Sequence, residues 1–264
     1  MRFAVAACAI AVVFLGGLVT WLNAAPGYST GIGEQRSIAF VDGSTVNLNS
    51  RTKIRVRYSA HERAVDLLRG QALFSVAKDS ARPFIVTTDS TQVRAVGTEF
   101  DVYRKESSTT VTVIEGRVAI LRDEELGELA PPERQHNSEP GSALPETSAK
   151  TANTWAPRSI FVAAGEQITV TPRLAARPLP ANVAQATAWT QRRLVFVSTP
   201  LAEVAQEFNR YAERPLRIGD PRLNRFEIDG VFSSTDPSSL IRFLRQRPDM
   251  KVTETDSDIV VTSR

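Results

Sequence analysis

The sequence predicts a mainly β protein, a β-roll or β-helix-like region followed by a small α/β unit, behind one apolar N-terminal helix. Three observations carry this expectation. Residues 3–22 form an apolar run without a charge. Three segments between Ala64 and Val170 repeat a strand–glycine–strand pattern. Beyond Trp189, two proline-started helical stretches alternate with short strands.

The first run reads FAVAACAIAVVFLGGLVTWL, about the twenty residues that a membrane-spanning helix requires. Arg2 precedes it, and Trp21 stands where an interfacial aromatic would. A cleaved signal peptide, with Leu22-Asn23-Ala24 as cleavage site, is the alternative, but the run exceeds the ~7–15 residues of such an apolar core. Residues 1–25 are therefore expected to be a transmembrane helix, and either reading exports the rest.

Residues 26–172 are expected to form the β region. Val46-Asn47-Leu48 and Ile54–Tyr58 alternate apolar and polar side chains, as half-buried strands do. Asp42-Gly43 reads as a hairpin turn, because glycine takes positive φ without steric cost. The repeats follow: AVDLLRGQALFSV (64–76), TVTVIEGRVAIL (110–121) and SIFVAAGEQITV (159–170), with Gly70, Gly116 and Gly165 at their centres. Repeated strand–turn–strand units suggest neighbours that bury one another's apolar faces. A meander of hairpins is the plainer alternative. Residues 123–158, rich in Pro, Ser, Thr and Glu, read as a disordered insertion, and residues 173–188 as a linker.

Residues 189–264 read as the α/β unit. Leu194–Val197 is a strand, with Thr199 as N-cap and Pro200 at the first helical position. Leu201, Val204, Ala205 and Phe208 follow at helical spacing. Leu216–Ile218 returns as a strand. The pattern recurs with strand Ile228–Phe232, cap Asp236 and the face Leu240, Phe243, Leu244. A hairpin of Lys251–Glu254 and Ile259–Thr262 ends the chain.

Composition narrows the function. The 264 residues carry 32 basic and 29 acidic side chains, a net charge of +3, too balanced for the clustered basic surface of a nucleic-acid binder. The single cysteine, Cys8, excludes an intrachain disulfide or a zinc site built on cysteines. The two histidines, His61 and His136, suit neither a catalytic triad nor a metal site, and no phosphate-binding glycine loop is present. No catalytic residue, cofactor or metal is expected. Asp42, Gly43, Gly97, Thr98, Phe100 and Gly116 are read as turn and core positions, with Glu99 as binding residue the alternative for the Gly97–Phe100 motif. Arg242, Arg245 and Arg247 could steer an acidic partner.

The stretch from Gly33 to Val170 resembles the FecR domain of bacterial cell-surface signalling regulators. The matching motifs are GEQRSI (33–38), VDGSTVNLNS (41–50), RPFIVTT (82–88), AVGTEFDVY (95–103) and VTVIEGRVAI (111–120). Where the family has Leu-Pro before Asp-Gly-Ser, this chain has Phe40-Val41. LVFVSTPLAEVAQEFNRYAERPLRI (194–218) resembles the STN-like domain that ends such proteins. The resemblance implies a non-enzymatic relay in the inner membrane, single pass, with its C-terminal portion in the periplasm. Its partners would be the periplasmic signalling domain of a TonB-dependent receptor and an extracytoplasmic-function sigma factor, in control of siderophore or ferric citrate uptake. Family members carry a cytoplasmic domain before the membrane helix, where this sequence has Met1 and Arg2, so sensing is expected more firmly than sigma-factor capture. A secretin-docking assembly factor and a carbohydrate-active or carbohydrate-binding β protein are the alternatives.

Overall fold

The computed structural model describes residues 26–89, 91–122, 159–171, 177–236 and 238–264. The apolar run 3–22, the segment 123–158 and residues 173–176 of the expected linker lie outside the described residues. The first seven strands are β1 (Gly27–Ser29), β2 (Arg36–Ala39), β3 (Thr45–Leu48), β4 (Lys53–Tyr58), β5 (Arg63–Ser75), β6 (Phe84–Thr87) and β7 (Thr91–Ala95). Then come β8 (Glu99–Arg104), β9 (Thr109–Glu115), β10 (Arg117–Arg122), β11 (Ile160–Ala163), β12 (Glu166–Val170) and β13 (Leu179–Pro180). All thirteen belong to one sheet, curled into a half-barrel.

The repeat seen in the sequence has a physical cause other than stacked coils or hairpins. β5 is one continuous strand through Gly70. Its first half pairs with β4 and β6, and its second half with β3 and β8. Likewise β9 pairs with β8 and β12, whereas β10, just past Gly116, pairs with β7 and β11. Gly165 separates β11 from β12 in the same way. Each glycine thus marks a corner where the chain passes from one side of the curl to the other. Gly70, Gly116 and Gly165 all have positive φ, at +89°, +81° and +81°, the region that L side chains avoid. At Gly70 the corner is also crowded, since a Cβ there would lie 2.4 Å from Thr52 Oγ1. The expected β-roll or β-helix-like stack therefore takes the form of a single bent sheet, whose described ladders are antiparallel except β5–β6.

The concave side holds the first core. Val46, Leu48, Ile54, Val65, Phe74, Phe84, Phe100, Val111 and Ile168 are buried there. An aromatic chain crosses it, from Phe40 to Tyr58, Phe84, Phe74 and Phe100, at centroid separations of 5.6, 6.3, 5.9 and 5.3 Å. Each large apolar side chain buried contributes about 1.5–3 kcal/mol.

The remaining elements gather around a second core. They are α1 (Val183–Thr187), a 3-10 turn (Ala188–Gln191), β14 (Arg193–Pro200), α2 (Leu201–Phe208), β15 (Leu216–Ile218), a second 3-10 turn (Pro221–Arg225) and β16 (Glu227–Ser233). They end with α3 (Ser238–Arg245), β17 (Met250–Glu254) and β18 (Ile259–Ser263). β14 and β16 pair antiparallel, while β18 lies between β15, its parallel partner, and β17. Leu201, Val204, Ala205 and Phe208 are buried along α2. On α3 the buried residues are Leu240, Ile241 and Leu244, with Phe243 half-buried. Helix α2 starts one residue later than its sequence signal: Pro200 is the cap, and Thr199 belongs to β14. The Thr199 hydroxyl is used instead to accept a bond from the Val197 N–H, across a bulge at Ser198.

One expectation is corrected. The chain was expected to be a single-pass inner-membrane protein, but among the described residues no helix is long and apolar enough to cross a membrane. The run 3–22 on which that expectation rested is outside those residues.

Candidate functional site

The β8 sequence EFDVYR alternates, and the alternation builds the site. Phe100 and Val102 enter the first core, so Asp101 and Tyr103 point from the opposite face of the strand. That face meets the second unit. Gln71 on β5 and Asn49 after β3 join it. The end of α2 brings Glu207, Arg210 and Tyr211 to meet them, and the 3-10 turn brings Trp189.

Asp101 is the centre of this seam and only 2% exposed. Gln71 Nε2 donates to Asp101 Oδ1 at 2.9 Å, and Trp189 Nε1 donates to Oδ2 at 3.1 Å. Tyr211 Oη donates to Asn49 Oδ1 at 3.0 Å. Arg210 Nη1 donates to Glu207 Oε1 at 2.7 Å and Gln71 Oε1 at 3.0 Å, while Tyr103 Oη donates to Glu207 Oε2 at 2.7 Å. The Arg210 guanidinium also lies 4.4 Å from the centroid of the Tyr103 ring, where its charge meets the electron-rich face.

Burial sets the electrostatics. It pushes the Asp101 carboxyl up to about 7, against the hydrogen bonds from Gln71 and Trp189 that favour the charged form. It also raises Tyr103 and Tyr211, helped by the Glu207 charge, so both phenols stay protonated. Burial works against the Arg210 charge, but Glu207 and the two tyrosines outweigh it, and its pKa is raised. A cleft of about 270 Å³ runs beside the seam, with Thr112, Gln167, Gln185, Arg193 and Glu203 on its walls. Such a seam of hydrogen bonds, rather than apolar area, resembles interfaces that open and close. Among the described residues no three His, Cys, Asp or Glu side chains are placed to hold a metal ion.

The residues singled out by sequence lie elsewhere. Asp42 and Gly43 make the β2–β3 turn, but Asp42 does more than turn the chain. Its carboxylate accepts from Arg63 Nη1 at 2.7 Å, and that arginine is fully buried. Burial pushes the Asp42 carboxyl up, yet the hydrogen bonds from Ser44 and Arg63 more than offset this and hold it below its usual range. Gly97 and Thr98 sit against Gly116, whose added Cβ would come 2.8 Å from Thr98 Cγ2, and Phe100 stacks on Phe74. Glu99 accepts from Ser75 Oγ. Arg242 and Arg245 border a groove on α3, where Arg245 is paired with Glu254 at 2.5 Å. Arg247 instead packs over the rings of Phe243 and Phe226. Sequence reasoning missed Asp101, Trp189, Arg210 and Arg63. The available signal was the strand alternation, which sets Asp101 opposite Phe100.

Comparison with known proteins covers the same segment and the same fold. The family model described as FecR protein matches residues 27–119, the segment that holds Asn49, Gln71, Asp101 and Tyr103. No curated protein matches. Two crystal structures of a candidate anti-sigma factor from Parabacteroides distasonis ATCC 8503, at 2.50 and 1.65 Å resolution, share the fold. Each superposes with a TM-score of 0.69 at 21% identity, covering 90% of this chain and 99% of that one. At that coverage the likeness takes in both units and not the matched segment alone. Residues 27–119 thus match the family described as FecR protein, and the fold of the whole described chain is similar to that of the Parabacteroides structures.

Proposed function

We propose that the chain relays a signal between a TonB-dependent receptor and an extracytoplasmic-function sigma factor, in control of iron-siderophore or ferric citrate uptake. The observation that carries this reading is the FecR match, because the matched segment supplies one whole side of the seam. The unit of residues 189–264, STN-like by its sequence motifs, takes the receptor's signalling domain. Its two-stranded sheet leaves strand edges to which another chain can add. The seam then passes the event to the FecR domain, whose partner is the sigma-factor side of the pathway. The roles of the chain are binding and transmission.

The test is calorimetric titration of residues 26–264 with the signalling domain of the genetically linked TonB-dependent receptor. Saturable binding, much tighter than to an unrelated receptor's domain, is expected. Equal affinity for both would overturn the reading.

A further inference from the structure

We propose that residues 179–192 are a strap that occupies the free edge of β14 and ties the opening of that edge to the release of Asp101. β14 pairs with β16 along one edge only. Along the other, Gln185 Nε2 of α1 donates to the Val195 carbonyl at 3.1 Å. The next outward group, the Val197 N–H, is taken by Thr199 Oγ1. The chain's own side chains thus fill hydrogen-bonding positions that an added strand would use.

The hold of α1 is light. It has five residues and none of them is buried, so little apolar area keeps it in place. Its two ends are fastened firmly, and both on the side of the thirteen-stranded sheet. Before it, β13 pairs with β12, and Ala181 N–H donates to the Gly165 carbonyl. After it, Trp189 is buried, its indole bonded to Asp101 and its carbonyl accepting from Gln35 Nε2 at 2.7 Å. Only two residues, Thr187 and Ala188, separate α1's Ala186 from Trp189, so α1 cannot leave β14 far without drawing the indole from the carboxylate. On this proposal, occupation of the β14 edge by an extended strand opposes closure of the Trp189–Asp101 contact. The partner that fits is an extended strand. This deepens the relay reading and rests on it for the source of that strand.

Gln185→Ala in the 26–264 chain tests the strap. Hydrogen exchange by NMR is followed at the Ala186 amide, which bonds Asn182 O within α1, and at the Trp189 indole N–H. Loss of the Gln185 bond is expected to speed exchange about tenfold at both sites, with the β17–β18 ladder unchanged. Binding to the linked receptor's signalling domain should strengthen by a similar factor. Faster exchange at Ala186 alone would overturn the tie. Faster exchange at both sites with unchanged affinity would show that the receptor uses another edge, and would overturn the edge assignment. If neither wild type nor variant binds that domain, the relay reading fails by itself, and the exchange data still decide whether α1 and Trp189 move as one.

Discussion

The indole N–H of Trp189 donates to the buried carboxyl of Asp101 across 88 residues of sequence, and this bond joins the second unit to the face of β8. Both side chains are almost wholly buried. Trp189→Phe keeps an aromatic ring in place, with some loss of packing, and leaves Asp101 Oδ2 without its donor. It should cost about 1–3 kcal/mol of stability, the range for a buried polar group left unsatisfied. Urea unfolding of both proteins measures it, and an unchanged midpoint would show that the bond contributes nothing.

The Asp101 carboxyl makes stability depend on pH. Its value of about 7 in the folded chain exceeds the ordinary ~3.9 of an unfolded aspartate. Between these values the native state binds more protons than the unfolded one, so stability falls as pH rises. The contribution is complete below about pH 4 and lost above about pH 7, a change of up to about 4 kcal/mol at ~1.36 kcal/mol per unit. The urea midpoint of the wild type should drop more between pH 5 and pH 8 than that of Asp101→Asn. Equal drops would contradict the assignment.

Arg63 and Asp42 form a pair that is almost wholly removed from water. Arg63→Met leaves a buried carboxylate without its cation and should cost about 3–5 kcal/mol. Asp42→Asn with Arg63→Met should lose less than the sum of the two single changes, because the partners share one interaction. Thermal melts of the three variants give the comparison, and additive losses would rule out the coupling.

The corner glycines should differ in tolerance. At Gly165 a Cβ would meet nothing within 4 Å, so Gly165→Ala bears only the positive-φ penalty, about 1–2 kcal/mol. At Gly70 the same change adds a clash with Thr52, whose Cα would lie 2.6 Å away. Gly70→Ala should therefore be the more damaging by several °C of melting temperature, since ~1 kcal/mol corresponds to about 2–4 °C in a chain of this size. Equal melting temperatures would refute the corner role of Gly70.

Local signals were legible in the sequence, and pairings over long separations were not. The buried face of α2 follows from 3.6-residue spacing, which needs no knowledge of the partner surface. Gly70 misled because a glycine corner inside one strand and a glycine in a turn leave the same mark; only the pairing of β5 with β4, β6, β3 and β8 separates them. Thr199 misled because its hydroxyl serves the bulge in β14. The seam was hidden for a related reason. Asp101, Trp189 and Arg210 gain their meaning from contacts across 88 and 139 residues, which no local pattern encodes. Arg242, Arg245 and Arg247 stood out as a charge run, yet ion pairing to Glu254 and stacking on Phe243 occupy two of them.

The most direct test of the relay follows hydrogen exchange across residues 26–264 while the linked receptor's signalling domain is added. The account predicts slower exchange in residues 189–264 where the receptor docks, together with faster exchange at the Trp189 indole and along β8 from Glu99 to Arg104. Protection confined to residues 189–264, with β8 and the Trp189 indole unaltered, would contradict transmission through the seam.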